Sequence, residues 1–174
     1  TSIKEMPQKA DDEISVLLFT SGTTGDAKAV ALSQSSICFD ISSVMKIVKI
    51  NEGERALSLL PLHHTYECSI TFLCCFYAGV TVCFGGGLRE IYSDLKLFSP
   101  HALILVPLFI ENFYKKLHYF SKETVSEFFG GSLRLIVCGA APLDPKYLEF
   151  FSSAGITALQ GYGLTECSPI AMCS

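Results

Sequence analysis

A short run of hydroxyl-bearing residues and glycines near the start of the chain has the composition of a phosphate-binding loop. The run is Ser21-Gly22-Thr23-Thr24-Gly25, and Lys28 follows it. Glycines let backbone amides approach a ligand closely, and amides and hydroxyls can then donate hydrogen bonds to phosphate oxygens while the lysine adds positive charge. The spacing differs from that of a Walker loop. A flexible polar hairpin turn is the alternative interpretation.

A pair of adjacent histidines follows an apolar run of strand length. His63 and His64 lie within the segment PLHHTYE, Pro61–Glu67. Imidazoles at such a position could bind a ligand, transfer protons or gate a site. Adjacent side chains diverge, so the pair does not favour a shared metal ion. A structural or solvent-exposed role for each histidine is the alternative.

Two further loops combine small residues with chemically active ones. In the first, Gly139, Ala140 and Ala141 leave room for a flat ring, although a tight turn explains them equally well. The second is GYGLTE, Gly161–Glu166. Here the tyrosine could stack on a base, the threonine could donate to a phosphate, and the glutamate could hold Mg²⁺, which prefers one or two carboxylates plus phosphate oxygens. A turn or a helix cap is the alternative.

The elements that must position these loops alternate between strands and helices. Strands are predicted over 14–20, 27–33, 56–61, 80–84, 101–107, 133–138 and 156–162, the last being the final strand. Helices are predicted over 34–50, 66–79, 85–100, 108–120, 122–131 and 145–155. Nearly continuous apolar strands alternating with helices predict an α/β fold with a mainly parallel sheet flanked by helices on both faces. The first two strands are predicted to form a hairpin.

The four polar loops should therefore meet. They occupy residues 21–28, 61–67, 139–142 and 161–166, and each follows a predicted strand. Parallel sheets place their ligand-binding loops at the carboxyl ends of the strands. We expect the four loops to converge at one edge of the sheet.

Charge and cysteine content make some classes of protein less favoured than others. The net charge is −4, and without any basic stripe this disfavours nucleic-acid binding. The eight cysteines form no C-x-x-C pair and lie mostly in apolar runs, which favours buried reduced thiols in a cytoplasmic protein over a zinc site. Peripheral contact with a membrane stays open as an alternative. The apolar run 71–84 is too short to span a bilayer, and the polar start lacks a secretory signal.

Taken together and in this order, TSGTTGDAK, PLHHTYE, GAAPL and GYGLTE resemble the motifs of the adenylate-forming (AMP-binding) superfamily. That superfamily includes acyl-CoA synthetases, luciferases and the adenylation domains of peptide synthetases. The segments LPLHHTYE and GAAPLDPKYLEFFSSAGITALQGYGLTECSPI are most similar to the long-chain fatty acyl-CoA synthetase branch. The resemblance extends from about Ile14 to Ile170.

The resemblance implies a fatty acid, ATP and coenzyme A as substrates, Mg²⁺ as a cofactor, and two steps that make acyl-AMP and then acyl-CoA. It implies that the first loop contacts the β- and γ-phosphates, that His64 lies beside the acyl site, and that Gly163 borders the carboxylate. The implied catalytic residues are Thr165, Glu166 and His64, with Glu166 as the metal ligand. The implied nucleotide-binding residues are Thr20, Ser21, Gly22, Thr23, Thr24, Gly25, Lys28, Gly139, Ala140, Ala141, Gly161, Tyr162, Gly163 and Thr165.

The sequence also departs from the family pattern. Ala27 and Ala29 replace the proline and glycine that usually flank the lysine of the first loop. The stretch between VPLFIENFYKKL and GGSLRLIVCGAAPL is short for the long-chain branch. Two alternatives to a fatty acid ligase therefore stay open. One is a non-catalytic nucleotide-binding module, and the other is a ligase for another carboxylic acid.

We expect two parts in this chain and a larger protein around them. Residues 1–50 are predicted to hold the phosphate-loop hairpin and its helix, and residues 51–174 an α/β layer with the adenine and magnesium loops. Both ends look like cut points, and the family's small C-terminal domain with its catalytic lysine would lie beyond them. Lys28 is not assigned that role, and we expect the 174 residues alone to be inactive as a ligase.

Overall fold

The computed structural model describes residues 10, 12–21 and 27–173. Its strands are β1 (Ile14–Ser21), β2 (Ala27–Ser33), β3 (Arg55–Ser58), β4 (Thr81–Phe84), β5 (Ala102–Leu105), β6 (Leu135–Cys138), β7 (Thr157–Gly163) and β8 (Ile170–Cys173). Its α-helices are α1 (Gln34–Ile47), α2 (Cys74–Tyr77), α3 (Ile91–Phe98), α4 (Pro107–Leu117), α5 (Lys122–Phe128) and α6 (Pro145–Ser153). A π-helix, Glu67–Leu73, precedes α2, and a 3₁₀ turn, Thr165–Cys167, precedes β8.

Six strands form one sheet in the order β4-β3-β5-β6-β7-β8, and β1 and β2 form a separate antiparallel hairpin. The pairs from β4 to β7 are parallel, and only β7 and β8 run antiparallel. Parallel strands need covering layers on both faces, which the intervening helices supply. The predicted α/β fold with a mainly parallel sheet is confirmed.

The two faces of the sheet enclose separate cores. In β5, Leu103 and Leu105 pack with α3, α4, α5 and α6, whereas Ala102 and Ile104 pack with α1, the π-helix and α2. Strand β6 divides in the same way. Successive side chains of a strand point to opposite faces, so a continuous apolar run serves both cores. The prediction of helices on both faces is confirmed.

Local signals explain where two of the helices begin. Ser33 caps α1, because its hydroxyl accepts a hydrogen bond from the backbone N–H of Ser36 at 3.2 Å. Asp144 caps α6, which starts with Pro145 at its first position. At the other end of α1 the predicted bound is three residues too long. The helix ends at Ile47. Just beyond it, the carbonyl of Lys49 accepts a hydrogen bond from the Arg134 guanidinium at 2.8 Å.

Three predicted elements are corrected by the structure. The helix predicted over 85–100 begins only at Ile91, because residues 85–90 form a loop that ends in a turn. The strand over 156–162 is not the last, because β8 follows and pairs with β7 from Gly161 to Gly163. Strand β8 is short and lies at a sheet edge after a turn in which Ser168 has a φ of 71°. The predicted helix over 66–79 begins as a π-helix and ends at Tyr77, and Gly79 follows in the turn with a φ of 69°. Among the described residues, no helix combines the length and apolarity needed to cross a bilayer.

Candidate active site

A large cleft opens at the carboxyl edge of the six-stranded sheet and faces the β1–β2 hairpin. Its volume is about 1190 Å³. All four predicted loops contribute to its walls, as expected for ligand loops at the ends of parallel strands. The predicted site residues that line it are Thr20, Lys28, His64, Ala140, Gly161, Gly163, Thr165 and Glu166. The predicted convergence of the four loops is therefore confirmed.

The hairpin brings a hydroxyl and an ammonium group to one wall of the cleft. Thr20 and Lys28 are directly opposite each other in the β1–β2 register. Lys28 is exposed, so its charge is available to a ligand in the cleft. Gly22, Thr23, Thr24 and Gly25 lie outside the described residues, as does the side chain of Ser21. Their predicted phosphate contacts stay predictions.

The loop after β3 presents both histidines to the cleft. Their ring centroids are 4.4 Å apart at an angle of 41°, and both side chains are exposed. A backbone hydrogen bond from His64 to the Pro61 carbonyl, 3.0 Å long, closes the turn that carries them. The two imidazoles therefore lie in tilted contact at the cleft wall, closer than the divergence of adjacent side chains led us to expect.

Glu67 ends this loop inside the protein, and sequence reasoning gave it no role. Its side chain is fully buried, and its carboxylate accepts from the hydroxyls of Ser58 at 2.5 Å and Thr71 at 2.8 Å. Backbone N–H groups of Leu59 and Leu60 also donate to it. Burial raises the pKa of Glu67, against the opposing effect of these donors. A usable sequence signal was the hydroxyl of Thr71, which lies four residues, about one helical turn, after the carboxylate of Glu67.

The loop after β6 lines the cleft through Ala140. Gly139 is buried beneath the Tyr66 ring, and a Cβ atom there would lie 2.8 Å from that ring. The Tyr66 hydroxyl donates to the Val137 carbonyl at 3.2 Å, which fixes the ring. Ala140 lines the cleft with a φ of 72°, a strained value for a residue with a side chain. Ala141 is exposed, and neither it nor Gly139 belongs to the described lining.

The end of β7 and the 3₁₀ turn form the opposite wall. Thr165 and Glu166 open the turn and face the cleft together with Gly161 and Gly163. Tyr162 lies between those glycines on the strand, so its side chain points the other way. Its ring is 63% exposed and does not line the cleft. The predicted contact between Tyr162 and adenine stays a prediction, and it requires this ring to reach the ligand from the rim.

The donor set suits a magnesium ion that arrives with a polyphosphate. Within the described part of the chain, no three histidine, cysteine or acidic side chains cluster as a metal site would require. Glu166 is exposed at the cleft wall. Mg²⁺ commonly binds through one or two carboxylates plus substrate phosphates. A single glutamate facing a hydroxyl and a lysine fits that mode of binding and does not fit a protein-held transition metal.

Comparison with known proteins agrees with this geometry. The family model described as "AMP-binding enzyme" matches residues 2–174. The chain belongs to the AMP-binding enzyme family.

Relatives within the AMP-binding family include long-chain ligases. The chain is 29% identical to long-chain-fatty-acid–CoA ligase 6 of Mus musculus, over 94% of this chain and 29% of that protein. It is 30% identical to long chain acyl-CoA synthetase 3 of Arabidopsis thaliana, over 93% of this chain and 31% of that protein. The chain thus spans about three tenths of the length of these curated relatives.

Solved structures share the AMP-binding fold. Apo MatB from Rhodopseudomonas palustris superposes with a TM-score of 0.82 at 22% identity, over 99% of this chain and 33% of that one. The inhibitor-bound N-terminal domain of FACL13 from Mycobacterium tuberculosis gives a TM-score of 0.78 at 24% identity, over 95% of this chain and 41% of that one. Both confirm the fold.

A buried aspartate supports the wall that carries Thr165 and Glu166 in this AMP-binding chain. Asp40 on α1 is only 4% exposed, and the backbone N–H of Ile170 donates to its carboxylate. Its Oδ2 atom has no hydrogen-bond partner. Burial raises the pKa of Asp40 to about 6. A second contact joins the same segments, since the hydroxyls of Ser168 and Ser36 lie 3.2 Å apart.

The raised pKa of Asp40 predicts how stability depends on pH. The unfolded chain releases this proton near the ordinary value of 3.8, and the folded chain holds it until about 6. Stability therefore falls as pH rises through this window. Relative to wild type, Asp40→Asn should gain about 2 kcal/mol of unfolding free energy between pH 4 and pH 7. Urea unfolding at several pH values measures the gain. Asp12→Asn, at an exposed position, is the control, and an equal pH dependence in both variants contradicts the assignment.

Proposed function

We propose that the chain is the central part of an ATP-dependent fatty acid–CoA ligase. The observation that carries the proposal is the convergence of a lysine, three threonines, two histidines and a glutamate on one cleft at the end of a parallel sheet. Curated relatives named long-chain-fatty-acid–CoA ligases support the same reaction class. The proposal concerns the full-length polypeptide, because this chain spans only about three tenths of those relatives.

The hairpin would hold the β- and γ-phosphates of ATP. Thr20 and Lys28 face each other across the strand pair and line the cleft, and the predicted phosphate loop, residues 21–25, joins their strands. Adenylyl transfer depends on positioning and on neutralising negative charge more than on a protein nucleophile. The lysine would supply charge to the departing pyrophosphate, and the threonine would fix its orientation.

The opposite wall would hold the α-phosphate and the metal. Thr165 would donate to the α-phosphate, and Glu166 would bind Mg²⁺ together with phosphate oxygens. The bound ion would withdraw charge from the phosphate oxygens and so favour attack at phosphorus. Gly163 keeps this wall close to the substrate carboxylate, while Ala140 would lie along the adenine.

An apolar acid suits the remaining walls of the cleft. Leu17, Phe19, Leu60, Val106 and Leu164 all contribute to its lining. Such side chains favour an alkyl chain and offer nothing to the ammonium group of an amino acid. His64 would lie where the acyl and phosphate regions meet.

The proposed reaction has two balanced steps. A carboxylate oxygen of the fatty acid forms a bond to the α-phosphorus while the bond from that phosphorus to the bridging oxygen breaks, which releases pyrophosphate and leaves acyl-AMP. The sulfur of coenzyme A then attacks the acyl carbon, AMP leaves with the bonding electrons, and the thiol proton passes to solvent. Neither step uses a thiol of this chain. Burial raises the pKa values of Cys74, Cys75 and Cys138 to about 12, so these thiols are poor nucleophiles.

Pyrophosphate exchange tests the proposed function. The full-length polypeptide should exchange labelled pyrophosphate into ATP when it is given Mg²⁺ and a long-chain fatty acid, and it should not do so without the acid. Nucleotide binding without exchange for any carboxylate would favour the non-catalytic module instead. Exchange with polar acids alone would keep the ligase and reject the fatty acid.

A further inference from the structure

The histidine loop is closed on itself by one buried side chain that never reaches the cleft. The loop leaves β3 at Ser58 and enters the π-helix at Glu67. The carboxylate of Glu67 accepts from the Ser58 hydroxyl and from the backbone N–H groups of Leu59 and Leu60, at the start of the loop. Glu67 is itself the last residue of the loop. One carboxylate therefore joins the two ends of the segment 59–67.

Both ends of the histidine loop are attached to well-packed secondary structure. Strand β3 lies inside the sheet between β4 and β5. On the helical side, the Thr71 hydroxyl donates to the second carboxylate oxygen at 2.8 Å, and both Glu67 and Thr71 are fully buried. The backbone N–H of Cys68 bonds to the His64 carbonyl at 3.0 Å, which couples the π-helix directly to the histidine pair. π-Helical turns are rare and often lie at functional sites.

All four partners of the carboxylate are neutral donors, and two of them cannot reverse. The hydroxyls of Ser58 and Thr71 can rotate to accept, but the N–H groups of Leu59 and Leu60 only donate. A side chain with two accepting oxygens satisfies all four donors as they stand, whereas an amide of the same size accepts through one oxygen only and requires a hydroxyl to reverse. The donor set thus favours a carboxylate over an amide of the same size.

We infer that Glu67 is a positioning residue that fixes His63 and His64 at the cleft wall, opposite Thr165 and Glu166. The inference rests on the proposed ligase function for its catalytic consequence. Glu67 touches no substrate and acts only through the loop that it closes. A displacement of about 1 Å in a positioned group can cost about a hundredfold in rate, so loosening the loop should lower turnover without removing any group from the cleft.

A double-mutant cycle in the full-length polypeptide tests the link to the histidines. Glu67→Gln should lower kcat/KM for the fatty acid about ten- to a hundredfold. In a background that already carries His63→Ala and His64→Ala, the same change should cost less than about threefold, because a residue that acts through the histidines has nothing left to position. Equal losses in the two backgrounds, or no loss in the wild-type background, would overturn the inference.

A matched pair at Thr71 provides a milder test if Glu67→Gln fails to fold. Thr71→Val keeps the shape and removes the donor, while Thr71→Ser keeps the donor and removes a methyl group. Activity should fall about threefold or more in the valine variant and stay near wild type in the serine variant. The opposite order, or equal activity in both, would show that packing and not the hydrogen bond matters here.

Amide hydrogen exchange separates this inference from the proposed function, because it needs no turnover. In the unliganded protein, Glu67→Gln should speed exchange across the peptide 60–66 at least about tenfold and leave strand β5 unchanged. Unchanged exchange across 60–66 would overturn the inference even if the ligase reaction is confirmed. If wild type shows no pyrophosphate exchange, the proposed function fails, and the amide data still decide whether Glu67 holds the loop.

Discussion

Glu166→Gln in the full-length polypeptide is expected to lower fatty-acid-dependent pyrophosphate exchange roughly a hundredfold or more. The change keeps the size of the side chain and removes a negative charge from the cleft wall. A neutral amide oxygen is a much weaker magnesium ligand than a carboxylate, so the metal and the phosphates it carries would lose an attachment point. Exchange of labelled pyrophosphate into ATP, followed across a magnesium titration, measures the effect.

The magnesium dependence distinguishes loss of the ligand from general damage. If Glu166 binds the ion, the variant should need more Mg²⁺ for half-maximal exchange as well as showing a lower maximum. Glu149→Gln is the matched control, because Glu149 is exposed on α6 and does not line the cleft. Wild-type rates and an unchanged magnesium requirement in the Glu166 variant would remove this residue from the site.

The second large effect is expected at Gly163. A Cβ atom at this position would overlap with the Pro169 carbonyl oxygen and crowd the next two backbone atoms, so β7 and the turn before β8 must separate to admit it. These atoms belong to the backbone, so they cannot move out of the way by a rotamer change as a flexible side chain can. Gly163→Ala should therefore lower the free energy of unfolding by about 3 kcal/mol. It should also reduce exchange about a hundredfold, because Thr165 and Glu166 lie on the displaced turn.

Gly161 offers a matched control on the same strand. A Cβ atom there would meet Ile170 Cδ1 at 3.4 Å and the Cys138 carbonyl oxygen at 3.9 Å, which are ordinary contacts. Gly161→Ala should change the free energy of unfolding by no more than about 0.5 kcal/mol, the range of a typical surface substitution. Similar destabilisation by both alanines would mean that loss of glycine flexibility, and not collision with the turn, governs this strand.

Sequence reasoning succeeded where the signal is local and repeated. Apolar runs bounded by glycine, proline or a capping residue predicted seven of the eight strands, and Ser33 and Asp144 predicted the starts of two helices. The edge at which the polar loops meet followed from strand direction alone. These features depend on residues that are close in the sequence and on the spacing of apolar residues, and both can be read from a single sequence.

It failed where a residue's role depends on a distant partner. Strand β8 forms by pairing with the edge of β7. A segment of four residues after a turn carries too little sequence pattern to predict a strand by itself. Glu67 ends the segment that was singled out for its histidines, yet its hydrogen-bond partners include Ser58 and backbone groups at the start of the loop. Tyr162 and Gly139 lie in the predicted loops but do not line the cleft, because strand alternation turns the first away and the Tyr66 ring covers the second. Their contacts with a nucleotide stay predictions.

The division of the protein into two cores has an evolutionary consequence. Ile104 and Val137 pack beneath α1 and the π-helix, while their immediate neighbours Leu105 and Cys138 pack on the other side of the same backbone. A substitution under the histidine loop should therefore repack one core and leave the side chains of the other in place. If the proposed ligase function holds, this separation would let the acid-binding face change while the face behind it keeps the sheet folded.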